Sequence, residues 1–322
     1  MQLEGKVFIT GGAGTLGKAI LRRAHEENWD AQFTIYSTDP MKHKAIKEMY
    51  PDVTCVLGSV TDAESLLLAI AGHDVVIHAG AYKHIVQCEE YPLATIDVNV
   101  YGSQNVFGVC ANLGIPHVVA ISTDKACEPI NSYGVSKMMM ERICHAYAWE
   151  FPKTEFHLCR YGNVVGSTGS FIHNWRKDLH ELGLVNSTVE TMTRFWMSED
   201  DAVNVILRCI EEPTGATLIP RPKTASIGDL EKWLLPEGTE VVHHGARPGE
   251  KKHETLLTES EGFRTEKVFF DDVAEDFDAA DAYRLHPPGI EVHKVGLTPL
   301  RSSATHLKLT EEQAIELFGK VE

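Results

Sequence analysis

The chain is short of basic side chains. Thirty Lys and Arg stand against 46 Asp and Glu, a formal net charge of −16 over 322 residues. A surface of that sign repels polyanions, so a nucleic-acid partner is excluded and any anionic small ligand must meet locally gathered positive charge. No run of about 18 apolar residues occurs, which argues against a membrane span. The first residues lack a charged segment leading into a long apolar stretch, so we expect a cytoplasmic protein that is not exported. The seven cysteines are odd in number and never spaced C-x-x-C, which implies reduced thiols in place of a disulfide framework. Sixteen histidines are many, yet none forms H-E-x-x-H, and His243-His244 lacks a neighbouring Cys or carboxylate. No metal site is therefore expected. Internal repeats and low-complexity tracts are also missing.

What is present is a regular alternation. An apolar run at residues 6–10 ends in Gly11-Gly12-Ala13-Gly14-Thr15-Leu16-Gly17 and is followed by an amphipathic stretch from Lys18, which reads as strand, glycine turn and helix. Further strands are expected near 33–37, 53–57, 74–79, 117–122 and 155–160, with helices near 40–49, 62–71, 91–113 and 133–150. Strands alternating with helices imply an α/β fold, a Rossmann-type doubly wound parallel sheet with right-handed crossovers. Beyond about residue 165 the alternation weakens into helical stretches near 170–183, 199–211 and 226–235. The chain therefore divides into a nucleotide-binding domain over 1–165, whose sheet recruits later segments, and a smaller C-terminal substrate lobe over 166–322. The acidic, poorly periodic segment 260–300 is expected to form loops or a flap.

The glycine loop has a physical purpose. Gly11, Gly14 and Gly17 permit a tight turn, close approach to a pyrophosphate and close packing of the next helix, whose first amides, with Thr15 and Leu16, face the phosphates. At the end of the second strand an acid would grip the ribose of NAD, but Ser37 and Thr38 stand there, with Lys42 and Lys44 able to neutralise a 2′-phosphate. NADP is favoured, and Asp39 leaves NAD open. Asp62 is placed both to cap the next helix and to meet the adenine amino group.

Tyr133 and Lys137 lie four residues apart, shortly after Ser122-Thr123-Asp124-Lys125. A phenol has a pKa of roughly 10 and is a weak base at neutral pH, but an ammonium one helical turn away favours the phenolate. Such a tyrosine can take a proton from a sugar hydroxyl as hydride leaves its carbon.

With these residues in place, the chain resembles the extended short-chain dehydrogenase/reductases, and within them the soluble UDP-N-acetylglucosamine 4,6-dehydratases that invert C5. The most specific stretches are Ile77-His78-Ala79-Gly80-Ala81-Tyr82-Lys83-His84, Ser122 to Ala126 with Pro129-Ile130-Asn131, Arg160 to Val164, Met192-Thr193-Arg194-Phe195 and Arg247-Pro248-Gly249-Glu250-Lys251. The pair Asp124-Lys125 resembles the inverting type, where glucose-nucleotide dehydratases carry Asp-Glu. The resemblance implies that Tyr133 removes the 4-hydroxyl proton, that Lys137 lowers the tyrosine pKa and holds the nicotinamide ribose, and that Thr123 hydrogen-bonds the reacting oxygen. It further implies Lys125 as base at C5, largely desolvated to lower its pKa, and Asp124 as acid at the departing 6-hydroxyl. Ala79, Gly80 and Ala81 would line the nicotinamide loop, and Asn99 would brace the active-site helix beside the cofactor. Arg194, Arg247 and Asn163 would meet diphosphate and uridine, Glu250 a ribose, and Lys83 and His84 the sugar. The partners implied are a UDP-sugar and further copies of the chain, in a dimer or larger ring. Thr38, Ser59, Gly80 and Tyr82 depart from the family pattern, as does 264–300. A UDP-sugar epimerase, a multistep enzyme that dehydrates transiently, and a non-catalytic NADP sensor are the competing readings. Epimerisation at C4 needs neither Asp124 nor Lys125, and a sensor needs neither Tyr133 nor Lys137.

Overall fold

A computed structural model describes residues 2–167, 171–268, 282–288, 302–304 and 307–321. The first half runs β1 (Gly5–Thr10), α1 (Thr15–Glu26), β2 (Ala31–Ser37), α2 (Pro40–Met49), β3 (Thr54–Leu57), α3 (Ala63–Ile70), β4 (Val75–His78), α4 (Ile85–Glu90), α5 (Pro92–Ile96), α6 (Gly102–Leu113), β5 (His117–Thr123), α7 (Ser132–Glu150) and β6 (Glu155–Tyr161). The second half contains β7 (Asn163–Val164), α8 (Phe171–Leu182), β8 (Leu184–Ser187), β9 (Thr193–Met197), α9 (Glu199–Cys209), β10 (Thr217–Pro220), β11 (Lys223–Ser226), α10 (Ile227–Leu234), β12 (Glu240–His243), α11 (Glu259–Gly262), β13 (Thr265–Val268), β14 (Ala282–Leu285) and α12 (Glu311–Phe318).

Nine strands form the main sheet in the order β13-β14-β10-β6-β5-β4-β1-β2-β3. β3 to β10 pair in parallel, and β14 enters antiparallel to β10. Successive side chains of β1 explain why both faces must be covered. Val7 and Ile9 join a core with α1 and α9, while Phe8 joins one containing Leu66, Val106, Phe107 and Met140. Every residue of β4 is buried, as a central parallel strand requires. A third core around Trp175, Trp196, Leu230 and Phe318 gathers α8, α10 and α12 beside a three-stranded sheet, β11-β9-β7, and a β12-β8 pair. Strand order reverses between β1, which continues to β2, and β4, so a crevice opens at their carboxyl ends.

Three details differ from the reading of the sequence. The helix expected over 91–113 is interrupted by a π-helical turn at Asp97–Tyr101, which turns Asn99 into the interior. The short α4 carries too little periodicity to be seen. Within 260–300, expected as loops or a flap, α11, β13 and β14 are ordered elements, while 269–281 and 289–300 lie outside the described residues. All seven cysteines are free thiols. Among the described residues no helix is long and apolar enough to cross a membrane.

Candidate active site

A cleft of about 980 Å³ opens at the carboxyl ends of β1, β4, β5 and β6. Its cofactor half begins at the glycine loop. Gly11 has φ +65°, and a Cβ there would lie 2.8 Å from Gly80 Cα, so the first loop can approach the second only with a glycine at 11. Gly17 does not line the cleft; a Cβ on it would sit 2.0 Å from the Gly12 carbonyl oxygen, so it serves the packing of α1 on the loop. α1 begins at Gly14 without a side-chain cap and without an acid in its first turn. Its first amides therefore face the cleft beside Thr15 and Leu16, a cradle suited to a diphosphate.

Ser37, Thr38 and Lys42 line the next stretch, with Ser37 Oγ 2.7 Å from His43 Nε2. Asp39 caps α2 through the amides of Met41 and Lys42, and its carboxylate is 3.4 Å from Lys42 Nζ. Lys44 is 4.0 Å from Glu48 and is not among the lining residues, so it does not join Lys42 as expected. Asp62 accepts from the Ser65 amide as the cap of α3; Ser59 and Val60, not Asp62, line the cleft.

The loop after β4 brings in Ala79, Gly80, Ala81, Lys83 and His84. A buried chain of hydrogen bonds fixes it. Thr10 Oγ1 lies 2.8 Å from His78 Nδ1 and accepts from the Gly80 amide at 3.1 Å, and His78 Nε2 lies 2.9 Å from Ser103 Oγ. Asn99 accepts from the Tyr82 amide at 2.8 Å and donates at 2.9 Å to both the Tyr82 carbonyl and Ser136 Oγ, so it ties this loop to α7. Burial, then the Lys137 charge, pushes His78 down to about 3, so its ring stays neutral in this chain. Burial, then the Lys42 charge, also lowers the Lys83 pKa.

Thr123, Lys125, Tyr133 and Lys137 line the centre of the cleft. Asn131 caps α7 by accepting from the Gly134 amide at 2.7 Å. A Cβ on Gly134 would lie 2.2 Å from the Lys125 carbonyl oxygen, so the glycine inside Tyr133-Gly-Val-Ser-Lys137 lets α7 press on the 3₁₀ turn Asp124–Ala126. Lys125 Nζ donates to Asp124 Oδ1 at 2.9 Å and Asn163 Oδ1 at 3.2 Å and lies 3.9 Å from Glu254 Oε1. Asp124 and Glu254 are both buried.

Two electrostatic expectations are corrected. Burial works against the Lys125 charge, but Asp124 and Glu254 outweigh it and hold its pKa above the ordinary lysine value. Burial pushes Tyr133 up to about 12, and the cation that opposes this is Lys125, with help from a hydrogen bond to Thr123. Burial brings Lys137 down to about 8, against the pull of Glu141.

The remaining expected residues lie on the far side. Asn163, on β7, is engaged with Lys125 and so sits nearer the reacting centre than a diphosphate contact would. Arg194, on β9, donates to the Thr193 and Lys252 carbonyls. Glu250 Oε2 accepts from the Arg247 amide at 3.2 Å, and the Gly249 carbonyl accepts from Asn131 at 2.7 Å, which joins this loop to the start of α7. Lining residues not foreseen include Glu254, Phe171, Trp175 and Trp196. The aromatic triple packs edge-on and tilted, with ring centroids 4.6 and 4.9 Å apart, and offers an apolar wall.

Residues 7–272 match the family model described as polysaccharide biosynthesis protein. The chain is 35% identical over 265 residues to a UDP-N-acetylglucosamine 4,6-dehydratase (inverting) of Campylobacter jejuni, covering 80% of this chain and 79% of that protein. It is 32% identical over 304 residues to a UDP-glucose 4-epimerase of Rickettsia massiliae, covering 91% and 86%. Among solved structures, Pen from Bacillus thuringiensis superposes with a TM-score of 0.87 at 25% identity over 97% of this chain and 96% of that one. DesIV, a dTDP-glucose 4,6-dehydratase from Streptomyces venezuelae, shares the fold with a TM-score of 0.67 at 18% identity, covering 76% and 85%. The chain belongs to the polysaccharide biosynthesis protein family, among the nucleotide-sugar dehydratases and epimerases of the extended short-chain dehydrogenase/reductase type.

Proposed function

We propose that the protein is a UDP-N-acetylglucosamine 4,6-dehydratase that inverts C5 and keeps NADP as its resident cofactor. The observation that carries this reading is Lys125, held 2.9 Å from Asp124 in the cleft that Thr123 and Tyr133 also line. A nicotinamide cofactor held by the glycine loop with Thr15 and Leu16 would supply reversible hydride chemistry, accepting hydride from C4 and returning it to C6. Tyr133 takes the 4-hydroxyl proton, with Thr123 bonded to the same oxygen. Lys125 takes the C5 proton made acidic by the C4 ketone. Asp124 protonates the 6-hydroxyl, which leaves as water, and a proton then reaches C5 from the opposite face.

The ligand-free ion pair has the wrong protonation for this work, since Lys125 must be neutral to act as a base. One proton passed along the 2.9 Å contact gives amine and carboxylic acid together. A sugar that displaces water from the cleft favours that neutral pair, because desolvation penalises separated charge. The UDP portion is assigned to the side bearing Arg194 and Arg247, and the aromatic wall suits its uracil.

Lys42 beside Ser37 and Thr38 favours a 2′-phosphate, and Asp39 offsets part of that charge. Relative affinities for NADP and NAD, measured on cofactor-stripped protein, decide the point. Exposed Tyr91, Leu93 and Trp149 support assembly into a homo-oligomer, which light scattering tests. The unpaired cysteines support a reducing cytoplasmic location.

The second reading, a UDP-sugar 4-epimerase, is supported by relatives carrying that name. Proton NMR of UDP-N-acetylglucosamine with the enzyme in D₂O separates the two. Dehydration gives a C6 methyl signal with deuterium at C5, and the coupling pattern reports C5 inversion. A C4 epimer with an intact C6 hydroxymethyl, or no reaction, overturns the dehydratase reading.

A further inference from the structure

At the opposite end of the sheet from the cleft, the first residues of β5 and β6 place three ligand-type side chains together. His117 and Glu155 are direct partners across the parallel pair, and His157 lies two residues along β6, on the same face as Glu155. His117 Nδ1 is 3.2 Å from Glu155 Oε2, and His157 Nε2 is 3.7 Å from the same oxygen. All three donor atoms fall within 4.8 Å of one another. We propose that His117, Glu155 and His157 bind a borderline divalent transition-metal ion of the Zn²⁺ class.

The spacing is that of ligands, not only of neighbours. With metal–ligand bonds of about 2.0–2.2 Å in tetrahedral arrangement, ligand atoms stand roughly 3.3–3.6 Å apart. The contacts at 3.2 and 3.7 Å bracket that range, so an ion fits after small rotations. His157 is wholly buried, and among the described residues neither of its ring nitrogens completes a hydrogen bond; His117 Nδ1 is likewise unsatisfied. A buried imidazole without a partner is costly, and a metal bond would satisfy it. The His117 and Glu155 side chains are 34% and 54% exposed, so an ion can enter and keep water on its open side.

Imidazole and carboxylate donors suit Zn²⁺, Co²⁺ or Ni²⁺ better than Mg²⁺ or Ca²⁺, which prefer all-oxygen shells. The six steps from His117 to Thr123 span about 20 Å of strand, so this site is separate from the cleft and would pin the entry of β5 to that of β6. The sequence gives no hint of it, because His117 is contributed by another strand than Glu155 and His157.

The test is titration of the full chain, freed of metal by a chelator, with Zn²⁺ in competition with a chromogenic chelator and with Co²⁺ followed by its visible absorption. We expect about one tight equivalent, with imidazole–carboxylate ligation, and an affinity loss of at least ~100-fold in His117→Ala and in Glu155→Gln, more than the 10–100-fold typical of outer-shell changes. Both positions are exposed enough for the variants to fold, which their melting temperatures verify. The Zn²⁺-induced rise in melting temperature should vanish in both. Equal affinity and stoichiometry in the variants would place any bound metal on other histidines and overturn the proposal, as would the lack of tight binding to the unmodified chain.

Discussion

Ser122 and Thr123 are consecutive residues of β5, and they feed two buried charge clusters of opposite character. Ser122 donates at 2.5 Å to Glu141 in the cluster around Arg160, while Thr123 donates at 2.9 Å to Asp124 in the cluster around Lys125. Arg160 makes five bonds: two to Glu141 at 3.0 and 2.7 Å, two to Glu261 at 3.0 and 2.9 Å, and one to the Leu256 carbonyl at 3.0 Å. Its planar fork is thereby saturated, and β6, α7 and α11 are locked together. The Lys125 cluster is incomplete. Asp124 Oδ2 is buried without a hydrogen-bond partner among the described residues, Glu254 Oε2 lies 3.6 Å from Lys251 Nζ without a hydrogen bond, and Lys125 opens onto the cleft. Saturated charge fixes a fold, whereas charge left with spare acceptors beside a cavity is poised to exchange protons.

The largest effect should come from breaking the saturated side. Arg160→Leu strands two buried carboxylates and should cost about 3–5 kcal/mol of stability, read by urea unfolding. The same cluster has a pH signature. Burial opposes the Glu261 charge, but Arg160 and the Thr258 amide overcome it and hold the carboxyl down at about 2, against 4.5 unperturbed. A depressed acid stabilises fully above its unfolded pKa and loses that contribution as pH falls through the folded one, here from 4.5 toward 2. The shift corresponds to about 3 kcal/mol. Glu261→Gln should flatten that part of the acid unfolding curve, and an unchanged curve would remove the distinction drawn between the clusters.

On the open side the expected order is reversed, with large losses of activity and small losses of stability. Lys125→Ala should lower turnover by ~10²–10⁴ and abolish C5 deuterium exchange. Its stability should fall far less than that of Arg160→Leu, since water in the cleft can solvate Asp124 and Glu254. Tyr133→Phe should stop hydride transfer itself, seen as no absorbance of reduced nicotinamide in a single turnover. Normal turnover by Lys125→Ala would refute its assignment as the base.

The contrast also explains what the sequence could and could not disclose. β1 to β6 and the helices between them are legible because buried parallel strands are continuous apolar runs and their helices carry a 3.6-residue period. β10, β13 and β14 lie beyond residue 165, where the alternation of apolar runs and helices weakens, and β14 joins antiparallel, so their addition to the sheet edge was not locatable. Lys125, Tyr133 and Lys137 stood out by spacing along one stretch. Glu254 did not, because one acid among 46 gains meaning only when folding buries it 3.9 Å from a lysine more than a hundred residues away. Asp124 and then that same carboxylate reversed the expected direction of the Lys125 pKa, and residue spacing alone could not disclose the second of them.

The smallest expected effect is the most discriminating. Burial alone would lower the Lys125 pKa, and Asp124 and Glu254 together raise it. A lysine with a raised folded pKa adds stability that is present below its unfolded value of 10.5 and is lost as pH climbs through the higher folded one. Glu254→Gln keeps the shape and removes one of the two charges, so that contribution should shrink and the amine should lose its proton at lower pH. The rising limb of kcat/KM for C5 exchange should therefore move toward acid, while Asp124 still supplies the proton for the 6-hydroxyl. A Glu254 that only packs would give a uniform loss at every pH. A displaced limb with the melting temperature preserved would place it in control of the Lys125 proton, and an undisplaced limb would show that the incomplete cluster is no more responsive than the saturated one.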